Sequence, residues 1–231
     1  MTLLAEIQSV LERTYRPSGI RLEECLIGPA RSRQLDERLR ACDRLLSPKA
    51  RTYLRCHEGS LHLALYFDPA LIARLEDVNP SEIISQHNIH ELIAFIEEIT
   101  HGVHAALAFH AGWQAWESEQ FACNLELQAR VDTYWILLLL GRALRRGFLD
   151  VETRLWMKDR LFGDEQTRYE SRDLERRYRW AREGARCFIE LCEGGEPRQR
   201  QEWIREFRDL NLTGKLRFLR RHCGDSLVLL G

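Results

Sequence analysis

The stretch Ala94–Leu107, AFIEEITHGVHAAL, places Glu97, Glu98, His101 and His104 within two turns of a helical pattern. Carboxylates and imidazoles can move protons near neutral pH, and both ligate metal ions. Glu97 and His101 are spaced i, i+4, so their side chains can converge on one point. On a helical wheel His90, Glu97, His101 and His104 fall within an arc of roughly 60° beside the apolar stripe. Five of the eight histidines lie between His87 and His110. A second candidate is Glu126 in LELQARVD, with Ala122, Ala129 and Glu119 on its face. Small residues there let another helix approach closely, and a carboxylate drawn out of water needs a partner. Arg130, at i+4, could be that partner; a metal ion shared with Glu97 and His101 is the sharper alternative. The bland reading of Glu97 and His101 is a surface pair worth only ~0.2–0.5 kcal/mol.

These residues need elements to hold them. Leu92, Ile96, Ile99, Val103 and Leu107 recur at helical spacing and predict a helix over about 89–110. Phe121, Leu125, Trp135 and Leu138 support a second helix over about 117–146. Upstream, residues 2–14 read as an amphipathic helix, IRLEECLIG as a strand, and 33–46 as a helix. RTYLRCHEGSLHLALYFDP reads as a β-hairpin turning at Glu58-Gly59 and stopped by Asp68-Pro69. A short helix follows, in PALIARLE. Helical patterns continue near 150–162, 166–193 and 197–222, with CEGGEP separating the last two. The order predicts an α+β fold with a small antiparallel sheet and a helical majority.

EEITHGVH resembles the HExxH helix of gluzincin-type zincin metallopeptidases, with Glu97 in place of the first histidine. LELQARVD is similar to the ELQAD stretch that carries the third, glutamate ligand in one group of bacterial neutral zinc metallopeptidases. A hairpin, then the active-site helix, then the glutamate helix is also the zincin order. The resemblance covers about residues 50–140. It implies a zincin-like core over 1–146 and a C-terminal helical extension over 147–231. It implies metal ligation by Glu97, His101 and Glu126, with Glu98 as general base. His104, Asp132 and Glu119 would orient those ligands. This set is more anionic than His-His-Glu. It suits zinc, with iron or manganese as alternatives, and acidifies bound water less. Three outcomes follow: a hydrolase with altered ligation, a metal-binding protein without peptidase activity, or a degenerate zincin with no metal.

Three readings of other kinds compete. One is a non-enzymatic helical protein that binds a protein or peptide partner without metal. A di-iron or di-manganese carboxylate bundle needs a second ExxH, which the chain lacks. Nucleic-acid binding through LERRYRWAREGAR is disfavoured, because acids interrupt the arginines at helical spacing. From Arg142 onward 21 Lys and Arg face 16 Asp and Glu, within a chain of net charge −1. Seven scattered cysteines without a CxxC pair fit a reducing cytosol. The N-terminus lacks a signal-peptide pattern, and the run YWILLLLG is far short of the ~20 residues of a membrane span. The expectation is a cytoplasmic protein whose oligomeric state the sequence leaves open.

Overall fold

The computed structural model describes residues 2–38, 49–163 and 171–223. Helix α1 (Leu3–Thr14) opens the chain, and Thr2 Oγ1 accepts from Ala5 N at its start. A short 3₁₀ turn covers Leu22–Cys25, and α2 spans Pro29–Asp36. Strands β1 (Ala50–His57) and β2 (Ser60–Phe67) pair antiparallel from Ala50↔Phe67 to His57↔Ser60. Their turn is Glu58-Gly59, at φ 49° and 73°. Two successive left-handed residues match the right-handed twist of a tight hairpin, which is why Gly is useful there. Asp68 caps α3 (Pro69–Asp77), and Pro69 starts it.

Helices α4 (Ile89–His110) and α5 (Glu119–Leu144) form the centre. Around them lie α6 (Val151–Phe162), α7 (Arg172–Gly194), α8 (Pro197–Asp209) and α9 (Leu212–Cys223). The fold is α+β with a two-stranded sheet and a helical majority. Leu92, Ile96, Ile99 and Val103 are fully buried, as their spacing predicts. Each such side chain contributes ~1.5–3 kcal/mol by leaving water. α4 is long and apolar enough to cross a membrane by length and composition, yet 72% of its most apolar window is buried inside the protein.

Two segments depart from their predicted form. IRLEECLIG is not a strand. Gln8 of α1 donates to Ile20 O at 2.7 Å and accepts from Leu22 N at 3.1 Å. A side chain thereby takes backbone groups that a strand partner would need, and only Leu26 bridges to Leu65 of β2. The pattern over 197–222 is two helices, because the Asn211 side chain accepts from Gly214 N at 2.9 Å and starts α9 afresh. α2 begins earlier than the predicted 33–46 helix, whose later part lies outside the described residues, as does the start of the predicted 166–193 helix.

Gly184 sets the closest approach of α7 to α5: a Cβ there would stand 3.2 Å from Leu127 Cδ1. That approach brings α7 over the face of α5 that carries Glu126. Ser118 caps α5 by accepting from Phe121 N at 3.1 Å, which fixes where Glu119 and Glu126 start on their helix.

Candidate functional site

A cleft of about 1030 Å³ opens between α4, α5, α7 and the hairpin. Glu98, His101, Glu126 and Tyr178 line its floor. Five consecutive residues of β1, Arg51 to Arg55, line one wall. Successive strand side chains point to opposite faces, so a run of five marks the strand's edge facing the cleft. β2 occupies the other edge of β1, and no strand pairs with the cleft edge among the described residues.

His101 comes from α4 and Glu126 from α5. Imidazole Nε2 and carboxylate Oε2 face each other at 3.5 Å, with side chains only 11% and 16% exposed. Burial favours neutral imidazole, but Glu126, Glu98 and Glu97 prevail and push His101 up to about 9. For Glu126 burial works the other way, yet His101, Arg130 and Arg177 outweigh it and hold the carboxyl below its usual range. In the ion-free protein the two form an imidazolium–carboxylate pair at neutral pH. The other ring nitrogen, His101 Nδ1, is buried without a hydrogen-bond partner.

Glu98 stands beside this pair. Burial, aided by Glu126, raises its carboxyl against the pull of His101, Thr52 and Arg51. Thr52 Oγ1 of β1 also donates to Glu98 O at 3.0 Å, which ties the wall of the cleft to its floor. Glu97 turns to Arg130, whose Nε lies 3.1 Å from Glu97 Oε1. Arg130 therefore pairs across to α4, while its charge also reaches Glu126 on its own helix; it donates further to Leu161 O at 3.1 Å.

The remaining predicted residues fall elsewhere. Glu119 is gripped by Arg177, with Nε to Oε1 at 2.8 Å. His104 Nε2 and Asp132 Oδ2 lie 2.5 Å apart, and Tyr15 donates to the other oxygen of Asp132. Gln128 bonds Asp132 and accepts from the buried Lys215 of α9 at 2.7 Å. This is a separate polar network between α1, α4, α5 and α9. Cys123 donates to Glu119 Oε1 at 3.6 Å, and burial pushes its thiol up to about 12, so thiolate chemistry is closed to it.

Sequence reasoning placed Tyr178 and Arg177 only in the disfavoured nucleic-acid stretch and missed their part in this site. Both sit in a run read as a solvated face, and that is true of its other side, where Arg176 pairs with Asp173 and Arg179 with Glu175. Burial, then Glu126, Glu98 and Glu97, keep the Tyr178 phenol protonated far above its usual range. It is a hydrogen-bond donor at the cleft floor.

Among the described residues no group of three or more His, Cys, Asp or Glu side chains is arranged to hold a metal ion. The pair of His101 and Glu126 does fit one in spacing. Two ligands at ~2.1 Å from a tetrahedral ion stand about 3.4 Å apart, close to the 3.5 Å between Nε2 and Oε2. Compared with protein-family models, curated proteins and solved structures, the chain matches none.

Proposed function

We propose that the chain is a metal-assisted hydrolase of peptide bonds, with a zincin-like site on the cleft floor. The observation that carries it is the 3.5 Å separation of His101 Nε2 and Glu126 Oε2 at the bottom of a cleft walled by an open strand edge. That separation is long for a hydrogen bond and matches two ligands of one tetrahedral ion. His101 Nε2 and Glu126 Oε2 would hold the ion, zinc first among the metals this set suits, while Glu97, the third residue of the expected ligand set, is turned to Arg130. A divalent cation there would polarise a carbonyl and acidify water.

The chain's own groups do the rest. The edge of β1 offers backbone donors and acceptors to an extended peptide, which fixes its register as another strand would. Glu98 is the proton-transfer group. Burial raises its carboxyl above its usual range and it lies beside His101, so it can take a proton from water and return it to a leaving amine. Tyr178 donates a hydrogen bond to oxygen that gains charge in the reaction. Arg130 and Arg177 keep Glu126 ionised.

One contact favours a second reading. Arg130 already neutralises Glu97, so the cluster is balanced without an ion, as a peptide-binding relative without catalysis would be. Glu98→Gln decides between them. We expect the wild-type chain, supplied with zinc, to cleave a peptide mixture followed by mass spectrometry, and the variant to lose that cleavage at unchanged helix content. Equal cleavage by both proteins removes Glu98 from the chemistry. No cleavage by either, with peptide still bound, leaves the second reading.

A further inference from the structure

We infer that the cleft takes an extended polypeptide bearing acidic side chains three to five residues to one side of the reacting bond. This rests on the proposed site for the position of that bond. Thr52 of β1 is pinned to the Glu98 backbone and marks the level of the chemistry. Arg55 and His57 lie three and five residues further along the strand, about 10 and 17 Å away at ~3.3 Å per residue.

Arg51, Tyr53, Arg55 and His57 share one face of β1 by the period of two. α2 covers the first two of them. Asp36 accepts from Arg51 at 2.8 Å and from Tyr53 at 2.9 Å. The cover ends there. Arg55 is exposed, His62 stands directly opposite it on β2, and neither has a carboxylate partner among the described residues. Arg31 of α2 also lines the cleft. On the floor the cations are already engaged: His101 faces Glu126 and Arg177 holds Glu119, with Glu98 beside them. The cleft thus offers an exposed guanidinium at Arg55, while beneath the reacting bond its charges are already paired and at the turn His57 faces Glu58.

A ligand must match that pattern. A uniform polyanion such as nucleic acid would find the floor cations His101 and Arg177 already taken by Glu126 and Glu119. A polypeptide can be neutral over the floor and acidic at the far end, and its backbone suits the open strand edge. Each cationic contact is exposed and worth little alone, but two or three together give about tenfold in affinity.

The test is fluorescence anisotropy with the full chain and two labelled decapeptides. One is neutral in one half and glutamate-rich in the other; its counterpart has glutamine at each glutamate. We expect the glutamate peptide to bind about tenfold more tightly, with the advantage shrinking as salt rises and reduced about two- to fourfold in Arg55→Gln, an exposed change that leaves helix content intact. Equal binding of the two peptides overturns the acidic preference while the cleft remains a peptide site. Binding of neither overturns both readings. An oligothymidylate that displaces the glutamate peptide at lower concentration than the peptide itself overturns the inference in favour of nucleic acid.

Discussion

Replacing Lys215 by Met should change how stability depends on pH, and the size of the change follows from where the lysine sits. Its side chain is 1% exposed on α9, its ammonium lies 5.1 Å from the centre of the Phe207 ring, and it donates to Gln128 Oε1 at 2.7 Å. Asp132 of α5 and Arg208 and Asp209 of α8 are the charges that act on it, and His104 of α4 and Tyr15 meet it through Asp132. Burial dominates and pushes the amine from 10.5 down to about 7; Arg208 acts in the same direction, while Asp132 and Asp209 oppose. Between those two values the unfolded chain holds the proton and the folded chain does not, so stability rises with pH through this window. Below pH 7 the folded protein carries the full cost of a buried ammonium, roughly 4–5 kcal/mol at about 1.4 kcal/mol per pH unit. Methionine removes that cost but leaves Gln128 Oε1 without its donor, a loss of about 1–3 kcal/mol. Urea unfolding followed by circular dichroism at several pH values between 7 and 10 measures both terms. The variant should be at least as stable as wild type at pH 7 and less stable at pH 10, with the difference moving by several kcal/mol. Parallel curves would refute the reasoning, since they would mean that Lys215 keeps its ordinary affinity for protons in the folded state.

His101 gives a shift of the opposite sign. In the ion-free protein its imidazole should titrate near about 9 by NMR, and Glu126→Gln should lower it, because burial then acts without its largest opponent and only Glu98 and Glu97 still oppose it; a wild-type value near 6.5 would contradict the ion pair. As His101 is raised on folding, the pair's contribution to stability is complete below pH 6.5 and fades as pH rises through 9. The stability gap between wild type and Glu126→Gln should therefore close above pH 9 in the same unfolding experiment.

How far the sequence carried depended on whether a feature was local. The α4 stripe and the Glu58-Gly59 turn are written in spacings of a few residues, so they were readable. So was the meeting of His101 with Glu126, because each lies on a strongly patterned helix. The roles of Arg130 and Tyr178 were hidden for different reasons. Arg130 is spaced to serve Glu126 on its own helix, but Glu97 faces it from α4 and takes its Nε. Tyr178 reaches the site only because Gly184 lets α7 lie close on α5, a packing fact no local pattern encodes. The misread strand at Ile20–Gly28 has the apolar content of one. What it lacks is a free ladder, since Gln8 has taken its backbone groups.

The central claim is that His101 and Glu126 are two ligands of one ion. The measurement that tests it most directly is metal uptake by elemental mass spectrometry, for tag-free protein dialysed against zinc, iron or manganese, beside Glu126→Gln. The account predicts near-stoichiometric metal in wild type and its loss in the variant at unchanged helix content. Wild-type protein that takes up no metal, or a variant that takes up as much, would contradict it.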